Sequence, residues 1–386
     1  MESIVSQVNK IRDIEQKKAL NNWAANGYVG SIIAGTGFGK SRCGVLAIGY
    51  ALKQGGNALI LVPTVQLQDQ FIEEFDKWGV STTNVEVLCY QSAYKLQGNK
   101  YSIVLCDEVH LGLSPQYRKF FDNNTYDKLL CMTATLPEEQ EYKDLLNILA
   151  PTVYKISLDA CVAAGIVSPY HIYCKPLQLT AVEQKEYKKV NNSFVYYKYQ
   201  LGQFNAFDEA QRIMGDKNAH PSDKKCAVMF YRAIRERKKI VDFASNKVAE
   251  FQKLVLNNMG SKILAFSGAN DFTDQLCASV SPLSATYHSK KTKKQREKAL
   301  EDFRANKINV LCSTKALNQG LDIPDANMGI MCGITSKALP MIQRIGRLIR
   351  FQEGKVGEIY ILYVKDSQEE KWLKNATKSL NNVNWL

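Results

Sequence analysis

No two of the ten cysteines in this 386-residue chain stand in a C-x-x-C spacing, and only four histidines are available to complete a metal-ligand set. A structural zinc site and a disulfide framework are therefore not expected. Most cysteines, Cys106, Cys131 and Cys312 among them, lie in apolar strand-like runs where the thiol acts as a small hydrophobe. Long hydrophobic runs are also missing. No stretch reaches the ~20 apolar residues that a membrane-spanning helix needs, and the N-terminus MESIVSQVNKIRDIEQ has no continuous apolar core of the kind a secretion signal carries. A reducing cytoplasm is the expected setting, with no membrane partner. Against these absences stands an ordinary globular composition, 45% apolar and 23% charged, with 50 Lys and Arg against 38 Asp and Glu. The net charge of +12 is spread along the chain and admits either a solvated basic surface or a polyanionic partner.

The length suits two domains. Short apolar runs alternate with helical segments: GSIIA (30–34), ALILVP (58–63), VEVLCY (85–90), YSIVLCDE (101–108) and KLLCMTAT (128–135), then KILAFS (262–267), LSATYH (283–288), INVLCST (308–314), MGIMCG (328–333) and EIYILYV (358–364). Continuous apolar strands between amphipathic helices predict an α/β fold of parallel sheets covered by helices. The expected domains are 1–158 and 159–386, the second led by a Tyr- and Lys-rich helical piece at about 180–255 whose last helix Gly260 closes.

The segment Ala34, Gly35, Thr36, Gly37, Phe38, Gly39, Lys40, Ser41 follows a strand and opens a helix. In that context backbone N–H groups of the loop and helix N-terminus point at phosphates, Lys40 reaches the β- and γ-phosphate oxygens, and the Ser41 hydroxyl holds Mg²⁺. The first position is Ala34 where the strict pattern has Gly, so a plain strand-to-helix turn stands as the alternative. A second apolar strand ends in Asp107-Glu108, which brings two carboxylates to the C-terminal edge of the sheet, where α/β ligands bind. Asp107 would position Mg²⁺ through its water shell and Glu108 would polarise an attacking water.

AGTGFGKS, DEVH, TAT (133–135), STKALNQGLDIP (313–324) and QRIGRLIR (343–350) stand in the order of the superfamily 2 helicase motifs, and from about residue 11 to 365 the chain resembles that superfamily. The resemblance implies two tandem RecA-like domains, ATP and Mg²⁺ as cofactors, and a nucleic-acid partner. It implies backbone contacts to a strand from Pro63 and Thr64, from Gln91 and Ser92 in CYQSAYK, from Ser267 in AFSG and from Thr314. His110, Thr133 and Thr135 would link hydrolysis to strand movement, while Gly320 and Asp322 would face the nucleotide. Each of these polar residues could equally cap a helix or a turn. The adenine-reading Gln of such proteins corresponds to Gln16, displaced by one residue from the commoner spacing after Arg12.

In the last motif Gln343, Arg347 and Arg350 fall at i, i+4 and i+7 on one helical face, and Gly346 lets that face approach another surface closely. If the second domain closes on the first, Arg347 and Arg350 act as arginine fingers, assisted by Gln343. DEVH, TATLPEE and the passage LDACVAAGIVSPYHIY are similar to XPB/Rad25-like and phage branch-migration helicases, which implies 3′→5′ movement on forked or branched DNA. A double-strand translocase that does not separate strands, an RNA helicase and a nucleotide-dependent binding module are the alternatives. Phe194, Tyr196, Tyr197, Tyr199, Phe204 and Phe207 in the helical piece either stack bases or pack helices. A protein partner is the other expected source of substrate choice.

Overall fold

In the computed structural model the described residues are 4–53, 55–137, 139–314, 326–335, 339–348, 352–378 and 380–386. They form two parallel α/β sheets in series. The first has six strands in the order Val85–Cys89, Ala58–Val62, Ile103–Asp107, Leu129–Thr133, Val29–Ala34, Thr152–Ile156. All five neighbouring pairs are parallel, and the inner strands Ala58–Val62 and Leu129–Thr133 are buried at every position. That burial on both faces explains their unbroken apolar sequences. Asp107 pairs with Met132, so Asp107-Glu108 and Thr133 emerge side by side from adjacent strands at the C-terminal edge. The helix Lys40–Leu52 covers one face, with Cys43, Val45, Ala47, Ile48 and Ala51 in the core.

The second sheet has seven parallel strands: Ser284–Tyr287, Val310–Ser313, Ile263–Phe266, Met328–Met331, Gly357–Val364, Tyr170–Leu177, Val383–Trp385. Ten of the thirteen strands of these two sheets coincide with the apolar runs expected from the sequence.

Before the strand Ile263–Phe266 the chain makes four helices, Ala181–Gln200, Ala206–Gly215, Pro221–Asp242 and Ser245–Asn257. The first three pack around a small core of their own, Leu201, Ala206, Ala210, Ile213, Ala227 and Phe230. The first of them opens with a full capping box: the Thr180 hydroxyl accepts from Glu183 N and Glu183 accepts from Thr180 N. The last ends at Asn258; Gly260 lies beyond this cap and outside the left-handed region, contrary to expectation. No helix among the described residues is long and apolar enough to cross a membrane.

Candidate active site

The strand Val29–Ala34 delivers the chain to a loop over residues 35–39, and the helix Lys40–Leu52 starts from it. Gly39, the residue before the first helical one, sits at φ 90°, ψ 41°, a conformation that a side chain disfavours, and it gives the helix no side-chain cap. The first-turn N–H groups therefore face the loop without an intrahelical acceptor, as an anion-binding cradle requires. Phe38 anchors the loop from below, fully buried with its ring 5.6 Å from that of Tyr154. Gly35 N donates to Ile156 O at 3.3 Å, and Lys40 Nζ donates to Ala34 O at 2.8 Å. Among the described residues, Thr36 Oγ1 is buried and has no hydrogen-bond partner.

Opposite the loop, Asp107 ends its strand and Glu108 adopts φ 49°, ψ 53°, the left-handed conformation uncommon for a residue with a Cβ. The backbone carbonyl of Asp107 is held by Tyr90 Oη at 2.9 Å. Glu108 Oε2 lies 3.1 Å from Thr133 Oγ1 and 3.4 Å from His110 Nδ1, and the Thr133 hydroxyl also lies 3.1 Å from Thr135 O. His110 and Thr133 thus converge on one carboxylate, and Thr135 touches the Thr133 hydroxyl only through its backbone carbonyl. Burial and the neighbouring Glu108 charge push the Asp107 carboxyl up to about 7. Burial also acts to raise Glu108, but the His110 hydrogen bond, the Lys40 charge and the Thr133 hydroxyl outweigh it and hold this carboxyl below its ordinary value. One carboxylate of the pair is kept ionised and the other is poised to gain from a cation.

The helix Leu339–Leu348 closes the site from the second sheet. Met341, Arg344, Ile345 and Leu348 are buried. At 100° per residue, Gly346 falls on the opposite side of the helix. A Cβ built on Gly346 would overlap Thr36 Oγ1 and Cβ and lie 2.9 Å from Thr36 Cγ2, so the helix backbone rests directly on the phosphate loop. The close approach expected of Gly346 is present. The side chains of Gln343 and Arg347, and residues Arg350, Gly320 and Asp322 altogether, lie outside the described residues.

Two of the residues expected to contact ligands have partners within the protein. Gln16 is 1% exposed, its Nε2 donates to Phe38 O at 2.7 Å, and its Oε1 accepts from Arg42 Nη1 at 2.6 Å. Ser267 is buried, with Oγ 2.9 Å from Ala269 O and 2.6 Å from Thr273 Oγ1. Thr314 is also largely buried and donates to Asn270 Oδ1 at 3.0 Å. At the C-terminal edge of the first sheet, Pro63 is buried, Thr64 Oγ1 is buried without a partner among the described residues, and Gln91 and Ser92 are exposed. Sequence reasoning missed Tyr90, Arg42 and Arg344. The last is buried against Phe266 and donates to Gly333 O at 3.2 Å, and burial lowers it to about 10.

An uncapped helix N-terminus, an orphaned Thr36 hydroxyl, a lysine and two carboxylates around one cleft fit a Mg²⁺-bound nucleoside triphosphate. Comparison with known proteins agrees. Residues 10–138 match the family described as type III restriction enzyme, res subunit, and residues 246–352 match the helicase conserved C-terminal domain. The chain belongs to the superfamily 2 helicases, near the XPB-like proteins. It is 26% identical over 357 residues to the DNA 3′-5′ translocase XPB2 of Sulfurisphaera tokodaii, covering 88% of this chain and 79% of that protein. It is 21% identical to the DNA 3′-5′ helicase XPB of Mycobacterium tuberculosis, over 96% of this chain and 64% of that one. A 51.5 kDa protein of a Lactococcus phage is 23% identical over 80% of this helicase and 60% of its own length. The fold is that of the Pyrococcus furiosus Hef helicase domain (TM-score 0.56, 15% identity, 95% and 99% coverage) and of Saccharomyces cerevisiae Dbp5 (TM-score 0.60, 15% identity, 97% and 89% coverage).

Proposed function

We propose that this helicase is an ATP-driven 3′→5′ motor on DNA that unwinds or branch-migrates forked or recombination-intermediate substrates. The observation that carries the reading is the contact of Gly346 with Thr36, which seats the helix bearing Gln343 and Arg347 on the phosphate loop. Lys40 exchanges the Ala34 carbonyl for β- and γ-phosphate oxygens, and the free N–H groups after Gly39 cradle the same phosphates. Ser41 and Asp107 would hold Mg²⁺, whose charge offsets the negative charge developing during transfer. Glu108, held ionised by His110, Thr133 and Lys40, orients and deprotonates the attacking water. Arg347 and Arg350 complete the charge stabilisation when the lobes close, with Gln343 beside them.

Hydrolysis then depends on lobe closure, and a strand lying across both lobes favours closure. Thr64, Gln91 and Ser92 are the strand contacts of the first lobe in this reading. They address the backbone, so binding is sequence-tolerant and salt-dependent. A protein partner supplies substrate choice. The name of the Sulfurisphaera relative, a translocase, supports a second reading in which the motor moves on duplex DNA without separating it. The test is ATP hydrolysis without nucleic acid, with single-stranded DNA, with a forked DNA duplex and with a matched RNA duplex, strand displacement being followed in the same tubes. DNA-stimulated hydrolysis with fork unwinding is the expected result. Hydrolysis without displacement selects the translocase, and stimulation by RNA alone overturns the DNA reading.

A further inference from the structure

Glu108 owes its place to an uncommon backbone conformation, φ 49°, ψ 53°, which a residue with a Cβ keeps only where its surroundings impose it. Both peptide groups that flank it are held. The carbonyl of Asp107 and the N–H of Glu108 belong to one planar peptide, and Tyr90 Oη donates to that carbonyl at 2.9 Å. On the other side, Glu108 O accepts from Leu111 N at 3.0 Å. The ring of Tyr90 braces the far end of the same segment. A Cβ built on Gly112 would stand 2.7 Å from Tyr90 Cε1 and 3.4 Å from Cδ1, so the ring lies against the backbone that closes the single 3₁₀ turn Val109–Leu111, which carries His110.

Tyr90 also opens the short helix Tyr90–Ala93, whose next two residues, Gln91 and Ser92, face solvent. That helix follows the edge strand Val85–Cys89, and the strand Ala58–Val62 lies between it and the strand that ends in Asp107. The Tyr90 side chain therefore crosses the end of an intervening strand to reach its acceptor. It has little room to swing away: Tyr90 is 2% exposed, and the Tyr117 ring is stacked 6.2 Å from its own. Burial pushes its phenol well above the ordinary value, so it remains a hydrogen-bond donor near neutrality. A buried phenol parted from its acceptor is costly, so a displacement of the exposed turn is passed to the Asp107–Glu108 peptide. One buried side chain thus joins a solvent-facing turn, that peptide and the turn that carries His110.

We propose that Tyr90 is a positioning residue that transmits strand engagement at Gln91 and Ser92 to the Glu108 carboxylate. The inference rests on the reading in which Glu108 orients the attacking water and those two residues meet the strand. A strand seated on Gln91 and Ser92 immobilises the turn, the Tyr90 hydroxyl then fixes the peptide, and the carboxylate stays where Thr133 and His110 meet it. Without a strand the turn is freer and the hold on Glu108 is weaker. This route lies wholly within the first lobe and is separate from lobe closure.

The experiment measures kcat without nucleic acid and with saturating single-stranded DNA, the DNA concentration at half-maximal stimulation, and the Kd of a fluorescent ADP, for the wild type, Tyr90→Phe and Gly112→Ala. Tyr90→Phe deletes only the hydroxyl, and Gly112→Ala pushes only on the ring, so the two disturb Tyr90 through different atoms. In both, the ratio of stimulated to DNA-free kcat is expected to fall by about tenfold, the worth of one hydrogen bond, with the ADP Kd and the half-saturating DNA concentration unchanged. An equal loss with and without DNA, a defect confined to the half-saturating DNA concentration, or full stimulation in Tyr90→Phe overturns the proposal and leaves the motor reading standing. Tyr90→Phe decides even where Gly112→Ala does not fold. A wild type that binds nucleotide without DNA-stimulated hydrolysis sinks the motor reading, and the proposal falls with it.

Discussion

Replacing Gly346 by Ala adds one methyl group at the point where the second lobe touches the phosphate loop. The new Cβ would overlap Thr36 Oγ1 and Cβ and stand 2.9 Å from Cγ2, whereas carbon atoms settle about 3.5–4.0 Å apart. The helix Leu339–Leu348 has to retreat by on the order of 1 Å, and a displacement of that size at a reacting centre costs about a hundredfold in rate. In the proposed reading, retraction also withdraws the arginine fingers Arg347 and Arg350, groups whose kind supply about 10³–10⁵. DNA-stimulated kcat should therefore fall by about 10²–10³, with ATP affinity changing far less because the loop itself is untouched. The substitution does not unfold the lobe by propensity, since Ala is favoured over Gly inside a helix by about 0.5–1 kcal/mol. Thr36→Gly removes the obstructing atoms, so the double variant should recover at least about tenfold over Gly346→Ala alone, a coupling of about 1.4 kcal/mol in a double-mutant cycle. The assay is steady-state hydrolysis with saturating single-stranded DNA on all four proteins. Full stimulated turnover in Gly346→Ala would refute the docking argument, and strictly additive defects would place the effect elsewhere.

Lys40→Ala and Glu108→Gln should each reduce hydrolysis to background, with Glu108→Gln alone keeping nucleotide affinity in a fluorescent-nucleotide titration; measurable turnover in either removes the assigned site. Asp107 carries a proton up to about pH 7 in the folded chain and 3.8 is its ordinary value, so its contribution to stability is present at low pH and lost as pH rises through 7. Asp107→Asn should accordingly stabilise the nucleotide-free protein by about 2–4 kcal/mol at pH 8, the lower figure allowing for solvent at the sheet edge, and by little near pH 4. Urea unfolding across that range checks the sign. Lys247 and Glu369 form a fully buried pair at 2.7 Å, with Lys247 also on Cys332 O and Glu369 accepting from Val364 N. Lys247→Met alone should cost about 3–5 kcal/mol, and Lys247→Met with Glu369→Leu should return most of it.

The strands legible in the sequence were those buried on both faces, where apolar character is continuous. Thr152–Ile156 and Tyr170–Leu177 alternate between buried and more exposed positions, with Lys155, His171 and Lys175 on the outside, and they merge with the polar passage between the lobes. Val383–Trp385 pairs over three residues only, at the edge of its sheet. The phosphate loop and the acidic pair were legible because each needs particular residue types at a strand end. The structural roles of Gln16, Ser267 and Arg344 were not, because their partners are mostly backbone carbonyls, which leave no trace in residue identity. The aromatic helical piece divides: Phe194 stacks on Phe230 beneath Arg237 and Phe207, though partly exposed, meets the same ring edge-on, whereas Tyr196, Tyr199 and Phe204 are exposed. Packing partners drawn from another helix decided that division, and spacing along one helix does not encode them.

The link between the lobes bears on how closure is felt at the phosphates. Three consecutive residues of the connecting segment touch different machinery: Ile166 O accepts from Arg12, Val167 packs where Gly37 lacks a side chain, and the Ser168 hydroxyl bonds both the N–H and the carbonyl of Gln352, just past the arginine-bearing helix. A hinge made only of solvated chain would let the lobes rotate without consequence for the loop. Here the N-terminal helix, the phosphate loop and Gln352 are tied to three consecutive residues, at most about 10 Å of chain. In the proposed reading, a rotation that brings Arg347 and Arg350 onto the γ-phosphate also strains or relaxes the contacts of Arg12 and Gly37. Phosphate binding at the loop and lobe closure are thus two readings of one geometry, and a strand bridging the lobes acts on hydrolysis through it.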